Sequence, residues 1–108
     1  MTSSSTETTI RKQLAENPVI IYMKGKPEAP ECGFSAAAVA ALGELGVEFA
    51  HVNVLQSPFI RERLPSISHW PTFPQLFING ELVGGSDIIC TMAKDGSLTE
   101  MLNESAAT

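Results

Sequence analysis

The sequence predicts a single α/β domain, a four-stranded mixed sheet flanked by helices. Two observations carry this expectation. Helix and strand patterns follow one another as α-β-α-β-α-β-β-α-α, and the helix between the first two strands makes them parallel neighbours. The last two strands flank Asn79-Gly80, the strongest short signal for an antiparallel hairpin.

Met1 to Thr9 is rich in Ser and Thr without an apolar stripe and reads as a flexible start. Ile10 and Leu14, four residues apart with Arg11 and Lys12 turned away, open a short amphipathic helix that Asn17-Pro18 stops. The β-branched run Val19-Ile20-Ile21-Tyr22-Met23 has the continuous apolar character of a central strand buried on both faces. A Pro-rich loop covers Lys24 to Glu31. Gly33 to Leu45 is an Ala-rich helix with Val39, Leu42 and Leu45 on one face, closed by Gly46 in a left-handed C′ position. Val47 to Leu55 is the second strand. Ser57-Pro58 then supplies an N-cap and a first-turn proline for a short helix expected to close at Pro65. Gln75 to Ile78 and Glu81 to Val83 form the hairpin. A helix from Asp87 to Lys94 ends at Asp95-Gly96, and Ser97 with Glu100 three residues on reads as a capping box for the last helix. The domain is expected to span 10–103, with a flexible tail over 104–108. This arrangement is the thioredoxin-like architecture.

Composition narrows the function classes. The chain has 108 residues, 12 acidic against 7 basic side chains, and a net charge of −5. That balance argues against a nucleic-acid backbone as partner, which calls for clustered Lys and Arg. No apolar run approaches the ~20 residues of a membrane-spanning helix, so no membrane association is expected. Two cysteines are too few for a disulfide scaffold of the secreted kind. Cys32, Cys90, His51 and His69 show no CxxC or HxxxH spacing, which argues against structural zinc. An iron–sulfur cluster needs about four thiolates, more than one such chain holds.

Cys32 is the chemically pointed residue. It lies between a strand-ending loop and a helix start, where unpaired backbone N–H groups and the positive end of the helix dipole favour thiolate. Lys24 and Lys26 in the same loop add to this, while Glu28 and Glu31 oppose it. Flanking by Pro30, Glu31 and Gly33 argues against a buried structural thiol. Cys90, in an Ile-rich helical segment, reads instead as a core residue. Neither His51 nor His69 is spaced to serve Cys32 as a base.

Three motifs in order resemble one known family. Met23-Lys24-Gly25 with Pro27 and Pro30, then Cys32-Gly33-Phe34-Ser35, is similar to the active-site segment of the monothiol glutaredoxins of the CGFS type. Trp70-Pro71-Thr72-Phe73-Pro74-Gln75-Leu76 and Gly84-Gly85-Ser86-Asp87 resemble that family's other two signatures. The likeness runs from about Ile10 to Leu102. It differs at Ser86, where many members carry Cys, and at Lys26, where Thr is common.

The resemblance implies a glutathione site. Lys24 and Arg61 would meet the glycine carboxylate, the guanidinium by its fork of donors. Phe73-Pro74, expected to be cis, would offer the Phe73 backbone N–H and C=O as to an added strand. The γ-glutamyl carboxylate would meet the backbone at Ser86 and Asp87, with the Asp87 side chain on its ammonium. Cys32 would be both the catalytic thiol and the protein's ligand to a [2Fe–2S] cluster, shared with a second subunit and completed by two glutathione thiolates. Function is then expected to be storage or transfer of that cluster by a homodimer, with iron–sulfur acceptor proteins and BolA-like proteins as partners. The alternatives are a glutathione-dependent thiol oxidoreductase, or a regulatory module whose glutathione-bound face docks BolA-like partners. Ser35, standing where a dithiol enzyme has its second cysteine, closes the dithiol route but not the monothiol one. Met1 to Thr9 looks like neither a secretory signal nor a transit peptide, which favours the cytoplasm.

Overall fold

The computed structural model describes residues 2–107, with side chains described for 5–104. Four of its strands form one mixed sheet. The central strand β1 (Val19–Met23) pairs in parallel with β4 (Ala50–Asn53) and antiparallel with β5 (Gln75–Ile78), which turns back as β6 (Glu81–Gly84). Ile20 to Met23 are all buried, as a strand covered on both faces requires. Asn79 and Gly80 take positive φ of 50° and 81°, the hairpin conformation expected of Asn-Gly.

One face of the sheet is covered by α1 (Thr2–Glu16) and α3 (Pro58–Ser68), around Ile10, Ile20, Tyr22, Leu64 and Phe77. The rings of Tyr22 and Phe77 meet edge to face at 5.6 Å, and the Tyr22 hydroxyl donates to Gln13 Oε1 at 2.8 Å. The other face packs α2 (Gly33–Glu44), α4 (Ser86–Asp95) and α5 (Ser97–Ala107) over Ile21, Met23, Leu42, Leu76 and Ile89.

Several expectations are corrected. The first helix, expected to open at Ile10, already begins at Thr2; Thr6 is buried, and Glu7 bridges Arg11 at 2.8 Å and Arg63 of α3 at 2.7 Å. Polar Ser/Thr composition hid this because the helix is held by tertiary contacts rather than propensity. Met1 lies outside the described residues. Pro65 does not end α3, since continuing the helix carries Ile67 onto the core face begun by Ile60 and Leu64. The reversal waits for His69 at φ 58°. The second strand is shorter than Val47 to Leu55, and Val54–Gln56 forms a 3-10 turn capped by Asn53. Ser57 makes no side-chain cap bond. The loop after β1 contains a small hairpin, β2 (Gly25–Lys26) with β3 (Ala29–Pro30). At the start of α5 the Asp95 carboxylate accepts from the Ser97 N–H at 2.8 Å and from its hydroxyl, in place of the Ser97-Glu100 box. α5 runs through Ala107, beyond the expected boundary at 103; Thr108 lies outside the described residues.

Candidate functional site

The strand ends that meet at one edge of the sheet assemble a cleft of about 660 Å³. They are the C-terminal ends of β1, β4 and β6 and the N-terminal end of β5. Connections leaving parallel strands at such an edge commonly form ligand sites. Lys24, Cys32, Arg61, Phe73, Pro74, Ser86 and Asp87, the residues singled out from the sequence, all line this cleft.

Cys32 is the N-cap residue of α2, with extended φ −153° and ψ 136°. Its thiol thus stands where a Ser or Asp oxygen usually faces the first free N–H groups of a helix. The Ser35 backbone N–H is the chief influence holding the thiol below its ordinary value of 9.0; the Phe34 N–H, the Lys24 ammonium and the Ser35 hydroxyl act in the same direction, against partial burial. An accessible, thiolate-leaning sulfur is suited to nucleophilic attack and to metal ligation. Phe34, two residues on, is 63% exposed at the same edge.

Lys24 and Arg61 supply positive charge from different elements, the segment after β1 and the exposed face of α3. Neither makes an ion pair among the described residues, so both remain able to meet an anion. After β6, α4 starts at Ser86 behind Gly85 as N-cap. Glycine brings no capping side chain, so the first N–H groups of α4 are not capped from within. No Ser or Asp side chain caps α4, and Asp87 is left exposed in its first turn. Between these sides runs the 70–74 loop, and the Phe73-Pro74 bond is cis. Trp70 lies against Gly85, where an added methyl would stand 3.1 Å from the indole Nε1.

Three supporting residues were not foreseen. Gln75, wholly buried in β5, donates from Nε2 to the carbonyls of Trp70 at 2.9 Å and Thr72 at 3.1 Å, fixing the loop. Ser35, also wholly buried, accepts from the Lys24 N–H at 3.1 Å. Asn53 accepts from Gly25 N–H. A polar residue opening an apolar strand, as Gln75 does in Gln-Leu-Phe-Ile, is the one signal that could have been read.

His51 and His69 are exposed and do not line the cleft. Cys90 is partly buried against the core, its sulfur 3.7 Å from the Ala37 carbonyl of α2, in keeping with a packing role. Both cysteines are free.

The Glutaredoxin family profile matches residues 19–83, which holds the sheet, the cysteine loop and the cleft-forming 70–74 loop. The chain belongs to the glutaredoxin family. Among similar glutaredoxins, Glutaredoxin 4 of Escherichia coli strain K12 is 53% identical over 104 residues, covering 96% of this chain and 90% of that protein. Glutaredoxin 4 of Pasteurella multocida is 55% identical over 98 residues, covering 91% and 90%. The solution structure of reduced poplar apo GrxS14 superposes with a TM-score of 0.82 at 39% identity, covering 94% of each chain. Within the glutaredoxins this chain is of the monothiol type, with Ser35 three residues after Cys32. No helix among the described residues of this glutaredoxin is long and apolar enough to cross a membrane.

Proposed function

We propose that this monothiol glutaredoxin binds glutathione in the cleft and, as a homodimer, carries a [2Fe–2S] cluster for storage and transfer to acceptor proteins. The observation that carries the reading is the order of charges across the cleft. Two cations without carboxylate partners among the described residues follow β1 and β4 at one end of the strand order, uncapped helix N–H groups with the Asp87 carboxylate follow β6 at the other, and the Cys32 thiol lines the same cleft. Glutathione presents the matching sequence: a glycine carboxylate, a central thiol, and a γ-glutamyl head with both carboxylate and ammonium. Glycine carboxylate on Lys24 and Arg61, backbone pairing at Phe73, and the γ-glutamyl group at Ser86 and Asp87 would bring the glutathione sulfur beside Cys32.

The cluster is treated as cargo. Among the described residues no three His, Cys, Asp or Glu side chains converge as a metal site, so one chain offers the single thiolate of Cys32. Cys32 from each of two chains, with the thiolates of two glutathiones, would complete the usual four. Ligands held only by non-covalent contacts make such cargo exchangeable, which is what transfer requires. The thiol at the exposed edge supports access by an acceptor thiolate. Iron–sulfur acceptors and BolA-like proteins are the proposed partners, and the cytoplasm, where glutathione is reduced, the proposed compartment.

Anaerobic reconstitution with iron, sulfide and glutathione is expected to give a coloured dimer, and Cys32→Ser to abolish it. Colour surviving in that variant, or a cluster formed without glutathione or any other thiol, would overturn the proposal. The depressed thiol favours one second reading, monothiol exchange. There the Cys32 thiolate attacks the glutathione sulfur of a mixed disulfide and expels the substrate thiolate; a second glutathione then releases oxidised glutathione and restores Cys32. Turnover of a glutathionylated peptide at the rate of a dithiol glutaredoxin would shift the assignment to this activity.

A further inference from the structure

The chain leaves β1 with the peptide groups around Lys24 tied down. The Lys24 N–H donates to Ser35 Oγ at 3.1 Å, and its carbonyl accepts from the Glu31 N–H at 2.9 Å. The next N–H, that of Gly25, donates to Asn53 Oδ1 at 3.0 Å. This last bond spans 28 residues of sequence and joins the end of β1 to the end of β4. The parallel ladder stops at the pair Met23 and Asn53, so the side-chain bond carries the alignment one residue further. The same Oδ1 accepts from the Leu55 N–H at 3.0 Å and closes the 3-10 turn that leads into α3. Both lone pairs of one amide oxygen are thereby engaged. One atom links the segment that carries Lys24 to the segment that carries Arg61.

We propose that Asn53 is a positioning residue for anion binding, setting the Lys24 and Arg61 charges at the separation a single carboxylate needs. The role rests on the cleft being the glutathione site. Asn53 does not line the cleft and touches no ligand there; it acts through the backbone of its two neighbours. Without the link each cation keeps its own element but loses its fixed offset from the other. A carboxylate would then meet one of them well and the other poorly.

The test compares binding of glutathione with that of its monoethyl ester, whose glycine carboxylate is capped, by titration calorimetry on the full chain. The wild type is expected to prefer glutathione. Asn53→Ala and Asn53→Ser should both weaken glutathione binding about tenfold, the loss of roughly one charge-assisted hydrogen bond, and weaken the ester little. The serine variant separates the two bonds: its hydroxyl can still cap the turn two residues on but is too short to reach Gly25. It also decides the matter if the alanine variant does not fold. Asn53→Ser binding with the full wild-type preference would overturn the role of Asn53 alone. Equal weakening of both ligands would do the same, since it would mean general loosening. A wild type that binds neither ligand, or both alike, would overturn the reading of the cleft and the Asn53 role with it.

Discussion

Gly25→Ala provides a quantitative test of how tightly the Lys24 segment is built. A β-carbon at position 25 would stand 2.6 Å from the Glu31 nitrogen and 2.7 Å from the Ala29 carbonyl oxygen, on a backbone with φ +93°. Both clashing atoms are main chain, so no rotamer relieves them, and the β2–β3 hairpin must open or the Lys24 peptide must move. Gly46→Ala is the control, because Gly46 also has positive φ (+68°) but nothing lies within 4 Å of the added atom. The left-handed backbone alone costs about 1–2 kcal/mol for a residue with a β-carbon. Overpacking adds about 1–3 kcal/mol at position 25 only. At about 4–8 °C per kcal/mol for a domain of roughly this size, Gly25→Ala should melt some 4–24 °C below Gly46→Ala. Thermal unfolding followed by circular dichroism under reducing conditions measures the difference. Glutathione affinity should fall in the first variant and hold in the second. Equal melting points with unchanged affinity in both would refute the steric reasoning.

Alkylation of Cys32 by iodoacetamide should reach half-maximal rate below pH 9.0, and Ser35→Ala should move that midpoint up only partly, since the largest influence is the Ser35 main-chain N–H that alanine keeps. The sign follows from linkage. A depressed thiol stabilises the fold above the unfolded thiol's pKa, and the contribution fades as pH falls through the folded value; a midpoint at or above 9.0 would contradict the site geometry. Cys90→Ser is expected to leave iron and sulfide content per reconstituted chain largely intact, as its sulfur faces the Ala37 carbonyl; a clear loss would give Cys90 a role the packing does not suggest. Glu7→Gln should raise amide exchange along α1, because it removes the carboxylate shared by Arg11 and Arg63. Those same partners hold Glu7 below its ordinary 4.5, so the wild type should show this loosening only as pH falls through that depressed value. Unchanged exchange in the variant would mean α1 is held by the packing of Ile10 and Leu14 and by the Tyr22–Gln13 bond without help from the ion pairs.

The sequence was most legible where one residue type has one physical use. The apolar run at β1, the Asn79-Gly80 turn and the cysteine opening α2 each allowed a single reading, and each lies where that reading put it. Legibility failed where a distant partner decides. The first turns of α1 show little periodicity, yet Glu7 finds Arg63 56 residues away. Pro65 obeys the core rather than its own propensity to end a helix. In the cleft, the residues that face outward were readable from motif and charge. Those that brace them, Asn53, Ser35 and Gln75, were not, because a buried polar side chain declares itself only through the peptide groups it meets.

The parallel pairing of β1 with β4 makes the sheet the ruler of the cleft. Ile20 aligns with Ala50 and Met23 with Asn53, so the distance from Lys24 to the chain that becomes α3 is stored as a strand alignment. A slip of one residue would displace Lys24 by about 3.3 Å. It would also turn every β1 side chain to the opposite face, exchanging the two cores. Such a slip is forbidden by the packing of Ile20 and Tyr22 against one layer and Ile21 and Met23 against the other. The coarse spacing of charges at the rim is therefore as durable as the hydrophobic interior, and the Asn53 side chain sets only its final offset. Tuning that spacing is open to substitutions in the connections but closed to any change of strand alignment short of refolding.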